Sequence, residues 1–324
     1  MSKIYVTGGA GFIGSYVIRR LLEKGHEVVM YDSFLHYVYP IKRCHHYNID
    51  SRMADIFDRC TVVRGSTQDI DFLSRSMREH KPTHIIHLAA MPLAKMAIEH
   101  PEEALNAIVN GTMNLLQAAR NVDCFERFVY VSSSMVYGDF KQIPAPEDHP
   151  KDPVEVYGGL KLSGEVLTRV YSKLYDIDHT IVRPSAVYGP TDNNRRVIGI
   201  FLENALQGKK LVVNGPETPL DFTYVKDIAE GIVLAALKPE GKNDTFNVTC
   251  GRSRTILEAA KIIEELIPGT EIEIKGHEKN MPLRGALDTT RVREKLGYQP
   301  QYQLEEGLQA YFDYLKIQQA AGAL

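Results

Sequence analysis

The sequence predicts an α/β protein: a doubly wound parallel sheet with helices on both faces, joined to a smaller, discontinuous α/β domain. Short apolar runs alternate with segments of helical period from the start of the chain to Arg183, the pattern of parallel strands linked by crossover helices. The first run, Ile4-Tyr5-Val6, leads into Thr7-Gly8-Gly9-Ala10-Gly11-Phe12-Ile13-Gly14, where a strand ends and a helix begins. Several residues with chemical potential fall at strand ends, where ligands bind on such sheets.

Length and composition agree with this class. The 324 residues suffice for two cores, and 44% apolar and 24% charged residues are ordinary globular proportions. The expected division is a ligand-binding domain of residues 1–185 plus 221–249 and a second domain of residues 186–220 plus 250–324. A net charge of -3 with scattered basic residues gives no reason to expect nucleic acid or an anionic membrane as partner. No apolar run approaches the ~18 residues of a membrane span, so the chain is expected to be cytoplasmic. Cys44, Cys60, Cys124 and Cys250 show no metal-ligand spacing and read as reduced thiols. His45 and His46 are adjacent and diverge, with no third ligand spaced to join them, so no metal is expected.

Taken in order, the glycines at 8, 11 and 14 let a turn approach a ligand closely, and the helix begun there points unpaired amides at it. A pyrophosphate suits such a place. Ile13, Val17, Ile18, Leu21 and Leu22 give that helix its apolar face, and Lys24-Gly25 closes it. Glu27 to Tyr31 is a second strand ending in Asp32, about 20 residues beyond the glycines, where a carboxylate accepts from an adenosine ribose and repels a 2'-phosphate. That favours NAD over NADP, with Lys42 and Arg43 close by as a complication. Residues 33–60, with His36, Tyr37 and Tyr39, receive no assigned structure.

Thr61 to Arg64 reads as a strand, Ile70 to His80 as a helix, and Thr83 to Leu88 as a strand followed by Ala89-Ala90, small either for packing or to admit a flat ligand. Pro101 to Arg120 predicts one long helix striped by Leu105, Ile108, Met113, Leu115 and Leu116. Phe128 to Val131 and His179 to Arg183 are strands, the former running into Ser132-Ser133-Ser134. Val197 to Leu206 and Ile256 to Leu266 are helices of the second part, while Val225 to Leu237 and Thr245 to Val248 rejoin the first.

Tyr157 and Lys161 stand four apart, on one face of a helix. A phenol titrates near 10, and a neighbouring ammonium lowers that by favouring the phenolate. A hydroxyl from Ser133 would hold a substrate oxygen while Tyr157 takes its proton, leaving the carbon free to release hydride.

These segments together, TGGAGFIG at 7–14, Asp32, HLAA at 87–90, VSSSMVYG at 131–138, YGGLK at 157–161, RPSAVYGP at 183–190 and DFTYVKDIA at 221–229, resemble the extended short-chain dehydrogenase/reductases. The resemblance is to the NAD-dependent nucleotide-sugar epimerase/dehydratase branch, UDP-glucose 4-epimerases included, and extends almost to the end of the chain. It implies a Rossmann domain holding NAD, a smaller domain binding a nucleotide diphosphate sugar, and a homodimer built on residues 101–120 and 157–174. It places the cofactor on Gly8, Gly11, Phe12, Ile13, Gly14, Asp32, Ser66, Thr67, Leu88, Ala89, Ala90, Tyr157, Lys161 and Pro184. Tyr157 becomes the base, Lys161 its electrostatic partner and Ser133 the hydroxyl, with Ser134 as the alternative. Lys95, Ser133, Ser134 and Arg284 become substrate contacts.

Ser134 and Met135 occupy the positions where dehydratases of this family carry an acidic pair and decarboxylases a glutamate. The expected reaction is therefore 4-epimerisation, with UDP-glucose/galactose or UDP-glucuronate as substrate class. The alternatives are a 4,6-dehydratase, a decarboxylase, a 4-keto-sugar reductase, and a nucleotide-binding protein without turnover. The chain departs from the family at Ser66, Ile108, Ala186 and Leu220; the last two remove contacts to the substrate diphosphate. Arg195, Arg196, Lys209 and Arg252 are the candidates to replace them, and the sequence does not choose.

Overall fold

A computed structural model of the chain describes residues 2–37, 41–276 and 282–324; Tyr39 lies outside them. Its centre is a seven-stranded sheet of β1 (Lys3–Thr7), β2 (Glu27–Asp32), β3 (Thr61–Arg64), β4 (His84–His87), β5 (Arg127–Val131), β6 (Asp178–Arg183) and β7 (Asp244–Asn247). The order is β7-β6-β5-β4-β1-β2-β3, and every pairing is parallel. The predicted doubly wound sheet is thus present, and the chain reverses its winding direction beside β1, where a crevice opens.

Strand alternation explains the two faces. Ile4 and Val6 of β1 join one core with Val17, Ile18 and Leu21 of the helix Phe12–Glu23 and Ile228 and Ile232 of the helix Val225–Leu237. Tyr5, between them, points the other way, into a core with Leu73, Met77, Leu115 and Leu116. Both faces are covered, so the strands read as nearly continuous apolar runs. A separate core gathers Ile198, Phe201 and Leu202 with Ala259, Ile263, Leu308 and Tyr311. Beside it lie three two-stranded ladders, including Leu211–Asn214 on Ile272–Lys275.

Two stretches differ from expectation. The single helix expected over 101–120 is three pieces: Pro101–Leu105, a wider π turn over Asn106–Asn110, and Gly111–Ala119. Gly111 sits so close to Thr67 that a Cβ would lie 2.6 Å from its hydroxyl oxygen. The inserted turn changes the facing of the stripe: Ile108, Leu115 and Leu116 are buried, whereas Leu105 and Met113 are exposed. Within the unassigned stretch 33–60 lies a helix, Arg43–Met53, which the apolar period could not reveal because polar residues anchor it. Its Asn48 and Arg52 are buried and bond across to Asn193 and Thr191.

Candidate active site

The glycine turn is built for close approach. Gly8 has φ of +72°, and a Cβ there would stand 2.7 Å from the amide of Ala89; a Cβ on Gly14 would stand 2.1 Å from the oxygen of Gly8. The helix starting at Phe12 has no side-chain cap, which leaves its N-terminal amides and positive dipole end directed at the crevice. Asp32 closes the second strand, accepting from the amides of Ala10 at 2.9 Å and Phe34 at 2.7 Å. Burial pushes its carboxyl upward, and those two amides act against the shift.

A cleft of about 400 Å³ runs over this turn. Gly8, Gly11, Phe12, Ile13, Gly14, Asp32, Ser66, Thr67, Leu88, Ala89 and Ala90 all line it. A bare backbone turn, a free helix N-terminus and a carboxylate one strand over are what a dinucleotide's diphosphate and ribose require, so these residues fit NAD. His36, Arg52, Asn193, Asn194 and Arg196 also line the cleft. Sequence reasoning missed all but Arg196. Their signal is their return in space to the glycine turn, which no local pattern carries. Tyr157, Lys161 and Pro184 do not line this cleft; Pro184 is buried, and its carbonyl accepts the Ser134 amide at 2.9 Å.

The reacting groups come from the end of β5 and the helix Val156–Tyr175. The Glu155 carboxylate caps that helix, taking the amides of Tyr157 at 2.9 Å and Gly158 at 2.6 Å. Tyr157 packs with Tyr37, which lines the cleft, around Met91. Burial pushes its phenol up to about 12, opposed by the positive charge of Arg196 and by the Ser133 side chain. Ser133 is half-buried and caps the short turn Ser134–Tyr137, whereas Ser134 is only 1% exposed. Of the two serines, Ser133 is the one against the phenol.

Lys161 is buried one helical turn on. Its Nζ donates to the carbonyl of Val131 at 2.8 Å, and burial pulls its pKa down to about 7. Arg196 is one cation that favours the Tyr157 phenolate, and the Lys161 ammonium lies 5.9 Å from the centre of the Tyr157 ring. Glu165, a further turn along the same face, raises Lys161 in opposition to burial. It accepts from Ser132 at 2.7 Å and pairs with Arg183 at 2.6 Å, both partners of this ion pair being fully buried. Arg183 also donates to Tyr137 at 2.8 Å, so one polar network ties the helix to the ends of β5 and β6.

Arg284 places Nη1 3.2 Å from the Met135 sulfur, while its buried Nε has no partner among the described residues. An orphaned guanidinium nitrogen in a buried place is costly. Lys95 does not line the cleft: its side chain is 87% exposed and pairs with Glu99 at 3.9 Å, because the helix Ala94–Glu99 turns it outward. Ala186 has a left-handed φ of 37°, and Leu220 is buried in the second core.

Residues 4–249 match the family model described as the NAD dependent epimerase/dehydratase family. The chain is 34% identical over 322 residues to a UDP-glucose 4-epimerase of Mycolicibacterium smegmatis, covering 97% of this chain and 98% of that one. It is 30% identical to UDP-glucuronate 4-epimerase 1 of Arabidopsis thaliana, over 95% of this chain and 75% of that one. The crystal structure of UDP-glucuronic acid 4-epimerase from Bacillus cereus, in complex with UDP-glucuronic acid and NAD, superposes with a TM-score of 0.88 at 28% identity, covering 97% of this chain and 99% of that one. Shared by fold, by cleft and by sequence over most of its length, these features make the chain a member of the NAD-dependent epimerase/dehydratase family.

Proposed function

We propose that the protein is a nucleotide-sugar 4-epimerase of the UDP-glucose/galactose or UDP-glucuronate type, working through a 4-keto sugar. The observation that carries this reading is the pairing of the Ser133, Tyr157 and Lys161 set with Ser134 and Met135 at the reacting end. Removing water from the sugar's sixth carbon needs an acid and a base there, and a thioether is neither. Relatives named as 4-epimerases support the same choice.

In this reading the Ser133 hydroxyl holds the oxygen on the sugar's fourth carbon, and Tyr157 takes its proton. The residues of the glycine turn would hold NAD, which would supply a reversible hydride acceptor, and the keto sugar would turn about its diphosphate link between the two transfers so that the opposite face is reduced. Lys161 and Arg196 favour the phenolate, and the apolar packing around Tyr157 excludes water while the keto sugar is present. Tyr157 then gives the proton back to the opposite epimer. Arg284 would meet the substrate diphosphate, and residues 186–220 plus 250–324 would form the sugar-nucleotide side.

The exposed apolar residues Leu105, Met113, Val166, Val170 and Leu174 lie on helices that pack side by side, and they support a homodimer through that face. Among the described residues no helix is long and apolar enough to cross a membrane, which is compatible with a cytoplasmic enzyme.

Incubation of the purified protein with UDP-hexoses and UDP-uronates, without added reductant, tests the reading. Epimer should appear from one of them. Loss of water or carbon dioxide from a nucleotide sugar, with no epimer in any case, would overturn it.

A further inference from the structure

Arg196 immediately precedes the helix Val197–Leu206 and enters the cleft from a segment remote in sequence from the glycine turn. That segment is strapped down. Tyr16 donates to the carbonyl of Pro190 at 3.2 Å, Arg52 to that of Thr191 at 3.1 Å, and Asn48 to the side chain of Asn193 at 2.7 Å. Thr191 and Arg195 both hold left-handed backbone, φ 72° and 49°, a strained state that persists only where surrounding contacts enforce it.

The strap fixes Asp192, whose side chain is 4% exposed, and Asp192 fixes Arg196 by both carboxylate oxygens on one nitrogen, each 2.8 Å from Nη1. Nε and Nη2 of Arg196 make no hydrogen bond among the described residues, so the fork that suits a phosphate is left open. The guanidinium carbon lies 5.8 Å from the ring of Phe12, the first residue of the uncapped helix. Arg52, the other cation at this spot, has its guanidinium turned to the carbonyls of Thr191 and Ala10.

We infer that Arg196 is a diphosphate ligand: held by Asp192 through Nη1 beside the first residue of the uncapped helix, it offers its unpaired Nε and Nη2 to a pyrophosphate bound in the cleft. The inference rests on the nucleotide-sugar reading above. Two bound molecules carry the required chemistry, the dinucleotide and the sugar nucleotide.

Arg196→Gln and Arg196→Lys, made in the full chain and purified with cofactor, separate them. NAD released on denaturation after gel filtration reports the first source; calorimetric titration of the NAD-loaded protein with UDP reports the second. Arg196→Gln should lose at least about tenfold in one of these affinities, the loss of a charge-assisted contact, with Arg196→Lys falling between it and wild type. Lost NAD with intact UDP binding assigns the cofactor diphosphate, and the converse assigns the sugar nucleotide. Unchanged NAD content and UDP affinity overturn the inference. So does a loss shared in full by Arg196→Lys with a lowered melting temperature, which marks a structural ion pair. Wild-type protein that binds no UDP would instead overturn the nucleotide-sugar reading, and the NAD arm would still decide Arg196.

Discussion

Lys161 directs its ammonium at the main-chain oxygen of Val131, 2.8 Å away, and stands 5.9 Å from the centre of the Tyr157 ring. Burial brings its pKa down to about 7, whereas an unfolded chain keeps a lysine charged to about 10.4. Between those values the unfolded state binds the extra proton, so this residue's contribution to stability rises with pH across that window. Lys161→Met should therefore melt higher than wild type near neutral pH, with the advantage shrinking as pH rises toward the upper value, while turnover is lost. A variant that melts no higher at neutral pH would show that the lysine's contacts outweigh its desolvation.

Tyr157 is the group most exposed to a single-atom test. Tyr157→Phe removes the proton carrier and leaves the apolar packing with Tyr37 in place. Turnover should fall by roughly a hundredfold or more, the usual contribution of a positioned acid or base, with little change in the NAD released on denaturation. Retained turnover would move the base elsewhere.

Glu165 and Arg183 form a fully buried pair at 2.6 Å, and Ser132 and Arg169 complete the carboxylate's partners. Removing one member strands the other charge. Glu165→Ala should lose about 3–5 kcal/mol in a denaturant titration. These partners hold the carboxyl below its ordinary value, so the stability it confers is present above pH ~4.3 and is lost as acid carries the pH down through the depressed folded value. Acid unfolding of the wild type should begin in that range, and Glu165→Ala should show a shallower acid limb.

The glycine turn, Asp32 and the strands around them were legible because each is a local pattern: an apolar run, glycines at fixed offsets, a carboxylate at a strand end. Arg52 was not, and Arg196 was only one of four candidate cations, since both reach the cleft through contacts between segments about 140 residues apart in the chain, as in the Arg52 bond to Thr191. The π turn at Asn106–Asn110 was equally hidden, because a single widened turn leaves the composition unchanged and the segments on either side still helical. Lys95 is a different case: nearness in sequence to Ala89-Ala90 does not decide which way a helix turns a side chain, and the helix Ala94–Glu99 turns this one outward.

Val166 and Val170 are exposed one turn apart on the helix that carries Tyr157. If this face joins two copies, Val166→Asp with Val170→Asp should sediment as a monomer where wild type sediments as a dimer. A wild type that is monomeric at assay concentration would remove the homodimer from the reading.

Two glycines on the two helices of the site give opposite predictions from the same substitution. Gly14→Ala would drive a Cβ to 2.1 Å from the Gly8 oxygen and 2.8 Å from the Gly9 Cα, both backbone atoms that cannot swing aside. The turn must open, so this variant should purify with little NAD. Gly159, inside the helix Val156–Tyr175, has open space where a methyl group would stand, with no neighbouring atom within 4 Å, and alanine there should stabilise the helix by roughly 0.5–1 kcal/mol. Measuring cofactor content and melting temperature for both separates a glycine required by ligand approach from one that merely costs helix stability. Full NAD content in Gly14→Ala would mean that the turn is not the diphosphate cradle.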